Sequence, residues 1–200
     1  MHQQPPEIDG RTKRRVENGA RLFDAAMELL ATRSYDDIAI EEICAAAGVG
    51  RATFFRIYQT KAELLLEFNR RLATRVQQRL DVAEPMDVEA ALRIVGEEIA
   101  ETWTQAAPGA TALAVDFSQM AGSRGLHAGH PELLQIVVTI VEKSLDGGQL
   151  TSTLPVRLMA SLALLQITAP VSYWFRHPER DLHVLINESI VQWLHGVVAH

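Results

Sequence analysis

Apolar residues recur along the chain in steps of three and four. Val16, Ala20, Phe23, Met27 and Leu30 are spaced 4, 3, 4 and 3, the interval that places side chains on one face of an α-helix. The polar stretch from Ser34 to Asp37 interrupts the pattern and reads as a turn. Ile40, Ile43 and Ala47 resume it in a short second helix, which Gly48-Val49-Gly50 ends. Gly48 suits a left-handed terminal position because it lacks Cβ. A third short helix is predicted from Arg51 to Ile57. A long fourth begins at Lys61, with Ala62, Leu65, Phe68 and Leu72 on one face, and Thr60 and Glu63 have capping-box spacing at its start.

Glu84-Pro85-Met86-Asp87 is the best boundary candidate: proline disfavours helix in the residue before it, and Asp87 can cap the next helix. Helical patterns then run over 88–106, 110–121, 131–145, 154–176 and 180–198, separated by Gly- or Pro-containing breaks. No strand-length alternation, internal repeat or low-complexity tract stands out. The pattern predicts an all-α chain of about nine helices.

Composition narrows this further. With 200 residues, 48% of them apolar and 22% charged, the chain can bury a sizeable core. A single cysteine excludes an internal disulfide and any zinc site built on paired cysteines. The polar, Pro-containing start has no signal-peptide core. The apolar run near Leu158–Val171 is broken by Ser161, Gln166, Thr168 and Pro170 and reads as too short for a membrane span. The expectation is a cytoplasmic protein with no membrane partner. Charge is uneven: residues 1–80 hold 13 Lys/Arg and 11 Asp/Glu, whereas residues 81–200 hold 6 and 14. Arg11, Lys13, Arg14 and Arg15 cluster ahead of the first apolar stripe. A basic end on an acidic body suits nucleic acid, and it also suits a solvated terminus.

Residues 40–57 read IEEICAAAGVGRATFFRI. Short helix, glycine turn, short helix is the helix-turn-helix pattern. Ile40, Ile43, Ala47, Val49 and Phe54 can pack the pair on the first helix, and small Ala45 and Ala46 can let the helices cross closely. The second helix then presents its start and outer face to a major groove. Other αα-hairpins share this spacing, so the pattern alone leaves both readings open.

From Cys44 to Leu64 the chain reads CAAAGVGRATFFRIYQTKAEL, and here it resembles the TetR family of bacterial transcriptional regulators. The resemblance is detailed over about residues 12–68 and architectural beyond. It departs from the family pattern at four places: Ala39 and Gly50 replace hydroxyl residues, Phe55 replaces the usual tyrosine, and Ile57 the usual histidine. The resemblance implies a DNA-binding domain, here 1–60, and an effector-binding and dimerisation domain, 61–200. It implies a dimeric regulator, by family default a repressor, that binds a palindromic double-stranded operator and is released by a small, largely apolar effector. No cofactor, metal or catalytic activity is expected.

The candidate DNA contacts are Arg14, Arg51, Ala52, Thr53, Phe55, Arg56, Tyr58 and Lys61. Arginine can read guanine bidentately or grip phosphate, and Arg51, opening the helix, is the better base reader. Ala52 can lie against a thymine methyl. Thr53 matches a family contact position and can donate to phosphate or to its own backbone. Phe55 can pack on a sugar or a thymine methyl, or be buried. Tyr58 closes the core or reaches phosphate, and Lys61 clamps phosphate or is a plain surface lysine. Arg14 belongs to the basic cluster that supplies affinity rather than sequence. Cys44 reads as a buried, inert thiol. Trp103, Asp116, Phe117, Met120, Tyr173 and Trp174 are the candidate effector contacts, though most large aromatics fit a core equally well. In the last helix Leu182, Leu185, Ile186, Ser189, Ile190, Trp193, Leu194 and Val197 form a stripe, matched by Leu158, Leu162 and Leu165 in the helix before. Two such helices meeting their twofold copies make a four-helix interface.

Overall fold

The computed structural model describes residues 10–83, 87–105 and 130–196. The predicted 110–121 helix, the Pro85 boundary, Val197, and the candidates Asp116, Phe117 and Met120 lie outside these residues, as do the side chains of Ala62 and Leu65. Eight helices and no strands are found among the described residues: α1 Gly10–Leu30, α2 Ile40–Ala47, α3 Arg51–Ile57, α4 Lys61–Val82, α5 Val88–Thr104, α6 Pro131–Asp146, α7 Val156–Trp174 and α8 Leu182–His195. The chain forms two compact units that meet within α4, one reaching Leu65 and the other beginning at Leu66.

In the first unit α1 packs on α2 and α3. Its buried face is Gly19, Leu22, Phe23, Ala25, Ala26 and Leu30. Val16, expected at the head of the stripe, is 66% exposed, so the core face begins a turn later than the apolar spacing suggested. Ile43, Ala47, Val49 and Phe54 are buried as predicted, but Ala45 and Ala46 face solvent. The small residues on the buried side of α2 are Cys44 and Ala47.

The helix ends follow local chemistry. Gly48 adopts φ 60 and ψ 37, a left-handed conformation that costs a residue with Cβ about 1–2 kcal/mol. Ala39 has no side-chain oxygen with which to cap α2, so only the return half of a capping box exists: Glu42 accepts from the Ala39 N–H at 2.8 Å. At α4 Thr60 accepts from the Glu63 N–H at 3.2 Å, and Glu63 in turn accepts from Gln59 at 2.7 Å, one residue farther out than a standard box. Asp87 caps α5 by accepting from Ala90 at 2.7 Å.

In the second unit α5, α6, α7 and α8 pack on one another. Gly96 lets α5 and α8 approach: a Cβ there would stand 2.6 Å from Ile186 Cγ2 and 3.1 Å from Ile190 Cδ1. Leu182, Ile186 and Ile190 are therefore buried within the chain. This corrects the expectation that the Ile186 stripe faces a partner, because the glycine gap of α5 already takes it. The part of α4 in this unit is tied to α5 by ions. Buried Glu98 accepts from Arg75 and Arg79, each at 3.2 Å, and Arg79 also meets Glu97 at 2.6 Å. A buried carboxylate requires such partners. At 19 residues α7 is long and apolar enough to cross a membrane, so length does not exclude a span as the sequence suggested. One of its faces, with Met159, Ala160, Ala163, Leu164, Ile167, Pro170 and Val171, is buried in the unit.

Candidate nucleic-acid interface

Gly50, in extended backbone at φ −69 and ψ 146, starts α3 without a side-chain cap. From this start the helix divides by burial. Phe54 is fully buried and Thr53 and Ile57 are half-buried, while Arg51, Ala52, Phe55 and Arg56 are exposed. Those four positions, i, i+1, i+4 and i+5, form one outward face. The Phe55 ring is 40% exposed and meets Phe54 edge-on at 5.4 Å and 80°. The Arg51 guanidinium lies 5.5 Å from the Phe55 centroid, and its Nη1 pairs with Glu41 of α2 at 2.5 Å.

Other candidates are turned inward. Tyr58 is buried, and its hydroxyl donates to the Gly19 carbonyl of α1 at 3.2 Å. That bond corrects its assignment as a DNA contact: the ring closes the core and the hydroxyl is spent inside the unit. Lys61 is half-buried, its ammonium 4.0 Å from the Tyr35 centroid and donating to the Tyr35 carbonyl. It ties the start of α4 to the turn before α2 rather than standing out as a plain surface lysine.

Arg14 is exposed on the first turns of α1 together with Arg11, Lys13 and Arg15. That end of a helix carries the positive pole of its dipole, so cations there work against helix stability unless an anion joins them. Sequence spacing did not reveal two further residues. Glu41 restrains Arg51. Arg21, on α1, donates to the carbonyls of Ala47 and Gly48 and so closes the C-terminal end of α2. Glu42 is held below the usual carboxylate range, first by its hydrogen bond from Arg33 and then by the Ala39 N–H. Burial pushes the Cys44 thiol up, against thiolate chemistry.

The effector candidates inside the described residues do not share one surface. Trp103 is buried, with ring contacts to Phe68 at 5.2 Å and Phe175 at 5.4 Å. Trp174 touches Phe175 at 5.4 Å and donates from its indole to the Arg180 carbonyl at 3.1 Å. Tyr173 is exposed and stacks on His177 at 4.3 Å. Phe175, which apolar spacing did not single out for this role, joins Trp103 to Trp174, and Phe68 packs on Trp103. Among the described residues no cluster of three metal-ligating side chains occurs.

Two helices joined at a left-handed glycine, the second offering a cationic and aromatic outer face, define a helix-turn-helix protein. Residues 22–68 match the family model of bacterial regulatory proteins, tetR family. The chain is 38% identical over 90 residues to the HTH-type transcriptional repressor LfrR of Mycolicibacterium smegmatis, a match covering 41% of this chain and 47%, about half, of that relative. Among solved structures it resembles Thermus thermophilus FadR, a TetR-family repressor in complex with lauroyl-CoA, at TM-score 0.68 and 24% identity, covering 91% of this chain and 96% of the other. It also resembles Bacillus subtilis FadR in complex with stearoyl-CoA, at TM-score 0.62 and 20% identity, covering 90% and 99%.

Proposed function

We propose that the protein is a dimeric transcriptional repressor that binds a palindromic DNA operator through α3 and leaves it when a small, largely apolar effector binds the second unit. The observation that carries this reading is the outward face of α3, where Arg51, Ala52, Phe55 and Arg56 stand together beyond a glycine turn. The basic first turns of α1 support it, since phosphate is the anion that would relieve them.

Dimerisation rests on α7 and α8. Leu158, Leu162, Leu165 and Tyr173 are exposed along one side of α7, and Val184 and Val191 along α8. A second copy of this surface buries all of them in a four-helix arrangement. The effector acts through α4, which continues from one unit into the other. Ligand and DNA then favour different dimer geometries, and each weakens the other by the same factor. The FadR neighbours bind acyl-CoA thioesters, which makes these the first compounds to test here.

The test is capture of genomic fragments from the host by the full-length protein, followed by sequencing and a titration with acyl-CoA thioesters. The expected result is enrichment of a palindrome with half-sites about 34–36 Å apart or a multiple of it. Uniform recovery of all fragments would contradict the reading.

A further inference from the structure

We propose that α3 reads a guanine and a 5-methylpyrimidine on neighbouring base pairs, Arg51 taking the guanine and Phe55 the methyl group. This rests on α3 being the DNA-contacting helix and names what that helix recognises.

Phenylalanine has no hydrogen-bonding group, so Phe55 can neither hold a phosphate nor read a donor–acceptor pattern. The apolar feature of a base edge in the major groove is the 5-methyl of thymine. Phe54, fully buried, meets the ring edge-on at 5.4 Å. A solvent-facing aromatic on the outer face of the helix offers an apolar surface for such a methyl group.

Arg51 stands one helical turn from Phe55 on the same face, its guanidinium 5.5 Å from the ring centroid. Base pairs rise about 3.4 Å per step, so the two side chains reach base pairs one to two steps apart. Glu41 occupies one nitrogen, Nη1, at 2.5 Å. Both partners of that pair are mostly exposed, at 64% and 56%, and exposed pairs stabilise a fold little. Its effect falls on recognition. A carboxylate beside the guanidinium offsets the charge on which a phosphate contact depends. The remaining N–H groups are still aimed donors for the neutral O6 and N7 acceptors of guanine. Ala52, exposed beside Arg51, adds no bulk to hold the helix off the bases.

The experiment starts from duplexes that full-length protein enriches from a randomised double-stranded library. In the tightest duplex, thymines are exchanged singly, in both half-sites, for deoxyuridine, which lacks only the 5-methyl. Fluorescence anisotropy then compares wild type with Phe55→Ala. A thymine within two base pairs of a guanine is expected in each half-site. Its exchange weakens wild type about fourfold per half-site, the effect of one buried methyl group, and weakens Phe55→Ala less than twofold. Enrichment followed by no uracil effect, or by the same effect in both proteins, overturns the methyl assignment and leaves DNA binding standing. Failure to enrich any sequence overturns both.

Discussion

Arg51 is restrained and available at once: Glu41 holds one edge of its guanidinium while the side chain stays largely in solvent. Glu41→Gln removes a negative charge next to the outward face of α3. Binding to random duplex DNA should rise and its salt dependence steepen by up to about one counterion, while the ratio of specific to random binding falls. Anisotropy against salt on both DNAs measures this, and an unchanged ratio would show that the pair does not orient Arg51. Glu42 makes a pH prediction. Its folded pKa lies below the ordinary value of 4.5, with the hydrogen bond from Arg33 the main cause and the charges of Arg33 and Lys61 adding to it. A depressed carboxylate contributes stability above its unfolded pKa and loses it as the pH falls through the folded one. On acidification below about 4.5 the melting temperature of wild type should therefore fall more steeply than that of Glu42→Gln, as followed by circular dichroism. The outward side chains of α3 were legible in the sequence because helical period and the glycine turn fix which way they point. The roles of Tyr58 and Lys61 were not, because their partners lie 39 and 26 residues away.

Among the elements, α2 depends on what closes its end. Gly48 supplies the left-handed turn, and Arg21 reaches over from α1 to the last carbonyls. A Cβ at position 48 would lie 2.8 Å from Arg21 Nη2. Gly48→Ala should cost the first unit about 1–2 kcal/mol from the backbone alone, measured by urea unfolding, and a neutral result would mean that the turn relaxes elsewhere. Helix boundaries agree with the sequence to within about two residues where a cap, Pro or Gly marks them, as at Asp87, Pro131 and Gly147. The orientation of stripes was harder to read. α8 is apolar on more than one side, and its buried side is set by Gly96 on another helix, a pairing that spacing within α8 cannot reveal.

For the whole molecule, that correction changes which substitution tests assembly. Ile186→Glu places a carboxylate against α5 inside the chain and should destabilise the second unit by about 3–5 kcal/mol, as an uncompensated buried charge does. Leu162→Glu changes a 40% exposed position on the outer face of α7. It should leave the helical signal intact and convert a dimer to monomer in sedimentation velocity, with operator affinity lost because one reading head covers half a palindrome. A Leu162→Glu protein that sediments as a dimer would place the interface elsewhere.

The most direct test of DNA reading by α3 is a salt titration of wild type and Arg51→Ala on an enriched operator duplex and on a scrambled duplex of equal length. Base reading by Arg51 predicts a loss of about 1–3 kcal/mol on the operator and little change on the scrambled duplex. Equal losses on both DNAs, or none on either, would contradict it.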